Sequence, residues 1–388
     1  MDKFYLPYLI ALITVFISVL LSFFLLTVKS KNRMANNLLS AFIIVCAIDA
    51  GGIIIAQYLE SMPELYDIIK SVTFLIFPLF YLYVLSICYN NFKLRLSSLY
   101  HILPFAINNL LIVSISLFSK NDSLQFALQE FSLIFSTFIL KLQAVIYLIA
   151  IIYVLRRYKK IYLHNYANGN INIYNWLFRI VLVFLITLPL SVLKDLSYFR
   201  NHQEIFIWTI VALTTAALLL FCWFVLIALY NPEFFRGVDP NIDTAKKYLS
   251  KKNDKRAFES KLDSMDSALI EQLRKHMIEK EPFLEPTLTL QELALQMNIP
   301  SRELSILINQ HIGQHFFEFI NKYRIEKALE IIEKSTKSEF TIQQIYFEVG
   351  FNSKSSFNTA FKKFTQSTPT AYRNLISSKT FPNLSKRV

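Results

Sequence analysis

The side chains best suited to catalysis or metal binding are few and scattered in this sequence of 388 residues. Its three cysteines, Cys46, Cys88 and Cys222, lie in apolar stretches and form neither a CxxC motif nor a Cys/His spacing. A disulfide scaffold and a zinc site are therefore not predicted. Inside the apolar stretches, no His, Asp or Glu has a second such residue three or four positions further on. The sequence predicts no catalytic residue, no metal and no cofactor.

Two groups of polar residues recur at helical spacing near the end of the chain. The first group consists of Ser301, Arg302, Ser305, Ile306 and Asn309. The second group is more basic and consists of Asn352, Lys354, Ser355, Asn358, Thr359, Lys362 and Lys363. Hydroxyl, amide and guanidinium groups hydrogen-bond to base edges in the major groove, and lysines bind phosphates. These residues are the candidate contacts to double-stranded DNA.

Each group is predicted to lie on the second helix of a helix-turn-helix unit. Residues 288–309 and 340–364 both have the pattern of a helix, a tight turn and a second helix, with Leu304 and Phe357 at equivalent core positions. A long amphipathic helix over residues 314–334 is predicted to bridge the two units. In such a unit the second helix packs its apolar face inward and presents its outer, N-terminal residues to the major groove.

The charge and the aromatic residues of this region agree with that prediction. From Thr287 onward the chain has 13 Lys and Arg against 8 Asp and Glu, a net charge of +5, which is the sign that DNA phosphates attract. The phenylalanines of the second unit are predicted to form its core: Phe351, Phe357, Phe361 and Phe364. Two such units in tandem are a more specific signal than one, because any two packed helices can imitate a single unit.

The sequence GFNSKSSFNTAFKK at residues 350–363 is followed by Thr368, Pro369, Tyr372 and Arg373. This segment is similar, nearly position by position, to the signature of the AraC/XylS family of transcriptional regulators, and the resemblance extends over about residues 288–372. It implies two recognition helices in successive major grooves about 34 Å apart. It also implies base contacts from Arg302, Ser305, Ile306, Lys354, Ser355 and Thr359. Tyr346 departs from the family pattern, which has a small alanine there.

The part of the chain before residue 231 is far more apolar than a soluble domain, and the whole chain is 54% hydrophobic and 18% charged. Seven stretches have the length of about 20 apolar residues that crosses a bilayer. They lie at residues 4–28, 38–59, 68–89, 99–118, 131–155, 176–193 and 205–229. The predicted fold is therefore all-α, with a seven-helix transmembrane bundle followed by a tandem helix-turn-helix DNA-binding domain.

The basic residues between these stretches predict their orientation. One set of connections carries nine Lys and Arg, and the opposite set, with the N-terminal end, carries five. Because basic connections stay on the cytoplasmic side, the N-terminus is predicted to lie outside and the C-terminal third in the cytoplasm. Arg179 and Pro189 interrupt the sixth stretch, and its loss would invert this topology. The expected location is the cytoplasmic membrane of a bacterium.

Polar groups inside apolar stretches are costly and mark candidate functional sites. Asp49 lies near the middle of the second stretch, and Lys141 and Gln143 lie near the middle of the fifth. A buried pair between Asp49 and Lys141 would let both charges remain in the membrane and could line a ligand pocket. Weaker candidates of the same kind in the fourth stretch are His101, Asn108 and Asn109. The alternative is that these residues only hold helices together, with Gly51 and Gly52 permitting close approach.

The junction after the seventh stretch contains an amphipathic helix predicted over residues 256–280, with Phe258, Leu262, Met265, Leu269, Leu273 and Met277 on its apolar face. This face has two candidate partners. It packs on the following domain, or it pairs with its copy in a second subunit as a short coiled coil. The sequence does not distinguish the two, so a homodimer remains an open expectation.

The predicted organisation has four parts: a transmembrane sensor at residues 1–230, a junction at 231–286, the DNA-binding domain at 287–376 and a basic tail at 377–388. Together they indicate a membrane-bound regulator in which one polypeptide senses a small molecule or a membrane state and binds DNA. One alternative is a transporter or membrane enzyme with an appended autoregulatory DNA-binding domain. Another is that the membrane part is only an anchor.

Overall fold

A computed structural model describes residues 5–28, 32–89, 92–118, 122–167, 172–230, 266–334 and 340–380. Every element in these ranges is a helix, so the predicted all-α class is confirmed. The chain divides into two compact units. The apolar unit comprises Met1–Arg157 and Ile173–Asp243, and the C-terminal unit comprises Tyr158–Asn172 and Thr244–Val388.

The apolar unit is built from long helices and a few short turns of 3₁₀ helix. Its helices are α1 (Tyr5–Thr27), α2 (Arg33–Ala50), α3 (Gly52–Tyr58), α4 (Pro63–Lys70), α5 (Ile76–Cys88), α6 (Leu103–Phe118), α7 (Asp122–Asn165), α8 (Asn172–Phe199) and α9 (Gln203–Tyr230). Within the described residues, seven helical segments are long and apolar enough to cross a membrane, which agrees with the seven predicted stretches.

The outer faces of these helices carry large apolar side chains. Phe16, Phe23 and Trp208 are each more than 60% exposed, although a soluble domain would bury such residues. Inside the unit, the rings of Phe42, Phe80 and Phe184 lie within 6.2 Å of one another, centroid to centroid. The unit therefore has an aromatic core and an apolar surface, which is the distribution that suits a lipid environment.

The structure refines the second and the sixth predicted spans. The second is not one continuous helix, because α2 ends at Ala50 and α3 begins at Gly52. A Cβ at Gly51 would lie 3.3 Å from Val15 Cγ2, so this glycine allows α1 to approach closely, whereas nothing lies within 4 Å of a Cβ at Gly52. The sixth span is uninterrupted, since α8 continues through Pro189.

Helix α7 is much longer than the predicted fifth stretch. It has 44 residues, and at a rise of 1.5 Å per residue it is about 66 Å long, roughly twice the thickness of the hydrocarbon core. Its last residues belong to the C-terminal unit. The helix must therefore extend well beyond any bilayer that its apolar part crosses.

The C-terminal unit contains seven described α-helices besides the end of α7. They are α10 (Asp266–Lys280), α11 (Leu290–Gln296), α12 (Ser301–Ile306), α13 (Phe316–Lys334), α14 (Ile342–Glu348), α15 (Lys354–Thr365) and α16 (Pro369–Thr380). Thr289 and Thr341 begin α11 and α14 with matching capping boxes, in which Glu292 and Gln344 complete the exchange of hydrogen bonds. The two helix pairs thus begin with the same local chemistry.

Two apolar cores hold this unit together, and α13 contributes to both. Phe316 and Ile320 belong to the first core, with Leu293 and Leu304 from α11 and α12. The second core contains Ile325, Ala328 and Ile332 from α13, and Ile345, Phe357 and Phe361 from α14 and α15. The predicted arrangement of two helix-turn-helix units bridged by one helix is what the structure shows.

The amphipathic helix of the junction is described only in its second half. Leu273 and Met277 of α10 are fully buried in the first core, and Phe283 joins them there. The described part of the apolar face therefore packs on the following domain. The core of that domain includes residues that precede its predicted start at residue 287. Phe258, Leu262 and Met265 lie outside the described residues, so pairing with a second copy stays a prediction.

Candidate nucleic-acid interface

The first helix-turn-helix unit turns at Asn298, which has a φ of +56°. Asparagine tolerates this left-handed conformation better than most residues. The turn is closed by the Ile299 amide, which donates a hydrogen bond to the Ala294 carbonyl over 3.0 Å. Leu304 of the following helix is fully buried. This geometry turns the other face of α12, with Arg302 and Ser305, away from the core.

The second unit turns at Gly350, where only glycine fits. Its φ is +87°, and a Cβ would lie 2.7 Å from the carbonyl oxygens of both Phe283 and Leu284. The Phe351 amide donates to the Tyr346 carbonyl over 2.8 Å, which closes the turn. Ser353 then caps α15 by accepting a hydrogen bond from the Ser356 amide. The turn therefore fixes where the second recognition helix begins.

The predicted DNA contacts differ in exposure between the two units. In the second unit nearly all are exposed to solvent: Asn352, Lys354, Ser355, Thr359, Lys362 and Lys363, with Asn358 half-buried. In the first unit none of the five is in the exposed class, since Ser301, Arg302, Ser305, Ile306 and Asn309 are all half-buried. The recognition surface of the second unit is therefore open to solvent, and that of the first unit is partly covered.

The lysines of α15 have different partners. Lys363 Nζ lies 2.5 Å from Glu318 Oε1 on α13, and this hydrogen bond holds the pKa of the Glu318 carboxyl below its usual range. Lys354 and Lys362 form no ion pair with any residue that the structure describes. These two ammonium groups are therefore available to an anion, whereas Lys363 must first leave Glu318.

A shallow polar depression follows the end of α15. It is lined by Asn358, Thr359, Lys362, Lys363, Gln366 and Thr368. Thr368 caps the next helix, because its Oγ1 accepts a hydrogen bond from the Ala371 amide. Amides at a helix start and lysine side chains both favour phosphate oxygens. This depression is therefore a candidate place for a DNA phosphate beside the second recognition helix.

In the first unit, Asn309 is already engaged by its own helix. Its Nδ2 donates to the Ser305 carbonyl over 2.7 Å and to Ser305 Oγ over 3.2 Å. Asn309 Oδ1 is buried, and His164 lies close to the same side chain. Two of the predicted base contacts therefore bond to each other rather than facing solvent freely.

Comparison with known proteins agrees with this geometry. Residues 293–375 match a family described as a helix-turn-helix domain. This match identifies the segment as an AraC-type helix-turn-helix domain. An uncharacterized HTH-type transcriptional regulator of Staphylococcus aureus (strain COL) is 37% identical to the chain over 87 residues, which is 22% of this chain and 11% of that protein. No solved structure is significantly similar to the chain.

The aromatic core of the AraC-type domain was predicted with one error. Phe351, Phe357 and Phe361 are buried, but Phe364 is 40% exposed. It lies one residue before the end of α15, where the neighbouring helices no longer cover the surface. Tyr346, the departure from the family pattern, is buried with its ring centroid 6.0 Å from that of Phe357. The core therefore accommodates the larger side chain.

Arg324 on α13 is a buried cation that the sequence pattern did not reveal. Its guanidinium donates from Nε to the Phe283 carbonyl over 2.7 Å and from Nη2 to the Glu285 carbonyl over 2.8 Å. A third bond runs from Nη1 to the Ala167 carbonyl over 3.3 Å. Burial lowers the pKa of Arg324 to about 10. In the sequence, its position on the apolar face of an amphipathic helix could have indicated that Arg324 is buried.

The predicted pair between Asp49 and Lys141 is wrong. Lys141 Nζ lies 2.9 Å from Asp195 Oδ2 on α8, and it also donates to Ser191. Asp49 instead accepts a hydrogen bond from Thr73 Oγ1 over 3.1 Å. Asp195 was missed because it lies just beyond the apolar stretch predicted to end at residue 193, although α8 continues to Phe199. Lys141 can pair with Asp195 because α8 extends beyond the predicted stretch and includes that residue.

The other polar candidates of the apolar unit have separate partners. Gln143 Nε2 donates to the Phe74 carbonyl over 3.0 Å. Of the candidates in the fourth stretch, Asn109 joins two segments, since its Nδ2 donates to Ser71 Oγ over 2.9 Å. These bonds each join two segments of the apolar unit. Among the described residues, no group of three or more His, Cys, Asp or Glu could hold a metal ion.

Proposed function

We propose that this protein is a membrane-bound transcriptional regulator that binds double-stranded DNA through its AraC-type domain. The observation that carries the proposal is the surface of α15, where Lys354, Ser355 and Thr359 are exposed on one helix beside the unpaired Lys362. A helix with this surface fits the major groove, with lysines at its ends for phosphates. The curated relative is also named as a transcriptional regulator.

The apolar unit supports a location in the cytoplasmic membrane of a bacterium. Its seven apolar helices and the exposed phenylalanines on their outer faces suit lipid contact. The excess of basic residues on one set of connections favours an external N-terminus and an AraC-type domain in the cytoplasm. Target DNA then has to approach the membrane surface.

The apolar unit also has features of a sensor rather than a simple anchor. Lys141 and Asp195 form a charged pair between α7 and α8, with Lys194 Nζ 3.3 Å from the second oxygen of Asp195. Charges inside apolar helices are costly and are kept where they hold a functional arrangement. A ligand or a change in the bilayer that separates α7 from α8 would alter this pair.

The test is DNA binding by the full-length protein in lipid nanodiscs. Fluorescence anisotropy with a duplex of about 40 base pairs, long enough for two successive major grooves, gives the affinity. We expect Lys354→Ala to weaken binding by about five- to tenfold, because the exposed ammonium group loses its contact with DNA. Lys334→Ala is the matched control, since Lys334 is exposed on α13 and its ion pair among the described residues is with Glu330 of its own helix.

The same variants can be compared by genome-wide occupancy in cells. Discrete sites that disappear with Arg302→Ala and Lys354→Ala would identify the regulated promoters. Equal affinity of the parent, Lys354→Ala and Lys334→Ala would contradict DNA recognition by α15. Absence of any DNA binding by the parent would contradict the proposed function as a whole.

A further inference from the structure

Tyr166 and Ala167, which directly follow α7, are built into the C-terminal unit, although they precede its helix-turn-helix pairs in the chain by more than 100 positions. The Ala167 amide donates to the Leu288 carbonyl over 3.0 Å, and Tyr166 forms an antiparallel bridge with Thr289. Ala167 is fully buried in the first core of the domain. Residues 158–167, here named the docking segment, therefore occupy a defined place on the first helix-turn-helix unit.

Arg324 provides a specific anchor for this segment. A buried guanidinium needs acceptors for its N–H groups, and the Ala167 carbonyl supplies one of the three that Arg324 uses. The other two come from Phe283 and Glu285, in the segment between α10 and α11 of the same C-terminal unit. If the docking segment leaves, Arg324 keeps its hydrogen bonds to the Phe283 and Glu285 carbonyls. The bond to Ala167 can therefore break without leaving the guanidinium of Arg324 unpaired.

The docking segment lies on the elements that a helix-turn-helix unit presents to DNA. Tyr166 covers Thr289, the capping residue of α11, which is the first helix of the unit. His164 lies close to the Asn309 side chain at the end of the recognition helix, and its ring centroid is 4.3 Å from that of His315. In bound helix-turn-helix domains the first helix crosses the phosphate backbone and the second enters the groove.

The difference in exposure between the two units agrees with this placement. The predicted contacts of the first unit are all half-buried, whereas those of the second unit are mostly exposed. Of these contacts, Asn309 is the one beside which the docking segment lies, through His164. The second unit has no counterpart of the docking segment within the described residues.

We propose that the docking segment is an internal occupant of the first helix-turn-helix unit that competes with DNA for it. This inference rests on the proposed DNA-binding function. With the segment docked, only the second unit is open to DNA. Because α7 is one continuous helix from Asp122 to Asn165, a displacement of its apolar part moves the docking segment and opens the first unit.

A disulfide between Tyr166→Cys and Thr289→Cys tests the proposal in the full-length protein in nanodiscs. Opposed residues of an antiparallel bridge have Cα atoms about 4.5–5.5 Å apart, within the range that a disulfide spans. The oxidised protein should bind a mixed-sequence duplex at least about tenfold more weakly than the same protein after reduction with dithiothreitol. Its affinity should also depend less on salt, because fewer phosphates are contacted. Each single-cysteine variant is a control for the loss of Tyr166 or of the Thr289 cap.

A second variant releases the segment instead of locking it. Ala167→Glu places a charge in the first core, which should drive the docking segment out of it. DNA affinity should then rise about threefold or more, although residues 293–375 are unchanged. Lys160→Ala is the control, since Lys160 is exposed in the same segment and its loss changes the net charge by the same amount.

The outcomes separate the two proposals. Failure of the two cysteines to cross-link, or equal DNA affinity of the cross-linked and reduced forms, would overturn the competition between docking segment and DNA. Unchanged affinity of Ala167→Glu relative to Lys160→Ala would do the same. Lack of DNA binding by the reduced protein and by the parent would instead overturn the proposed function, on which the inference depends.

Discussion

Gly350 shows how strongly one residue determines the second helix-turn-helix unit. We expect Gly350→Ala to lower the free energy of unfolding of the AraC-type domain by at least about 1–3 kcal/mol, the usual cost of a strained backbone at positive φ. The added Cβ would also lie 2.7 Å from two carbonyl oxygens, so the backbone at Phe283 and Leu284 must shift. Differential scanning calorimetry of the full-length protein measures the change.

Gly313→Ala is the matched control for this substitution. Gly313 also has a positive φ, +74°, but a Cβ there would meet nothing within 4 Å. It should therefore show only the backbone strain and a smaller loss of stability. If both variants lost the same stability, the close approach of Gly350 to residues 283 and 284 would contribute nothing.

For single residues, the sequence pattern predicted whether a side chain is buried or exposed better than it predicted its ion-pair or hydrogen-bond partner. The helical spacing placed Lys354 and Thr359 on an outer face and Phe357 and Phe361 in the core, and the structure has them there. The partner of Lys141 was wrong because an ion pair depends on which helices are neighbours, which spacing along one chain does not contain. Arg324 was missed for the same reason, since its acceptors are backbone carbonyls of distant segments.

The contact between α13 and α15 gives a prediction at the level of elements. Glu318 on α13 holds Lys363 on α15 by a hydrogen bond. We expect Glu318→Gln to release Lys363 for a phosphate, tightening nonspecific DNA binding about two- to fivefold and increasing the salt dependence by about one counterion. Glu326→Gln is the control, because the ion pair of Glu326 in the described part of the chain is with Lys322 of the same helix. Tighter binding in both variants would mean that net charge alone accounts for the effect.

The same pair predicts a small dependence of stability on pH. Lys363 lowers the pKa of the Glu318 carboxyl, so its contribution is complete above the unfolded pKa and is lost as the pH falls through the lowered value. Both side chains are more than a third exposed, and the contribution should stay below about 1 kcal/mol. Acid unfolding of Lys363→Ala should therefore begin only slightly earlier than that of the parent.

The helices themselves were largely predictable, because apolar periodicity and capping residues are local features. Thr289 with Glu292 and Thr341 with Gln344 are visible in the sequence as helix starts, and the structure begins α11 and α14 at these positions. The end of α7 was not predictable from hydropathy, since residues after 155 are polar and basic. Their helix continues to Asn165, and Ala167 is buried in the first core of the C-terminal unit.

The orientation of the whole molecule is a separate prediction. With nine basic residues on one set of connections and five on the other, we expect a reporter fused before Met1 to lie outside the cell and one fused after Val388 to lie in the cytoplasm. Paired alkaline phosphatase and fluorescent-protein fusions measure the two ends. Finding both ends on one side would mean that one of the seven apolar helices does not cross the membrane.

Helix α7 carries both Lys141, paired with Asp195, and the docking segment at its end. If the apolar unit controls the AraC-type domain through this helix, Asp195→Asn should loosen α7 and slow the cross-linking of Tyr166→Cys with Thr289→Cys by about twofold or more. Lys194→Gln is the control, because it removes a neighbouring charge and leaves the Lys141 pair intact. Equal cross-linking rates in all three proteins would mean that α7 does not transmit the state of the ion pair, and any signal would have to reach the domain along the chain after Tyr230.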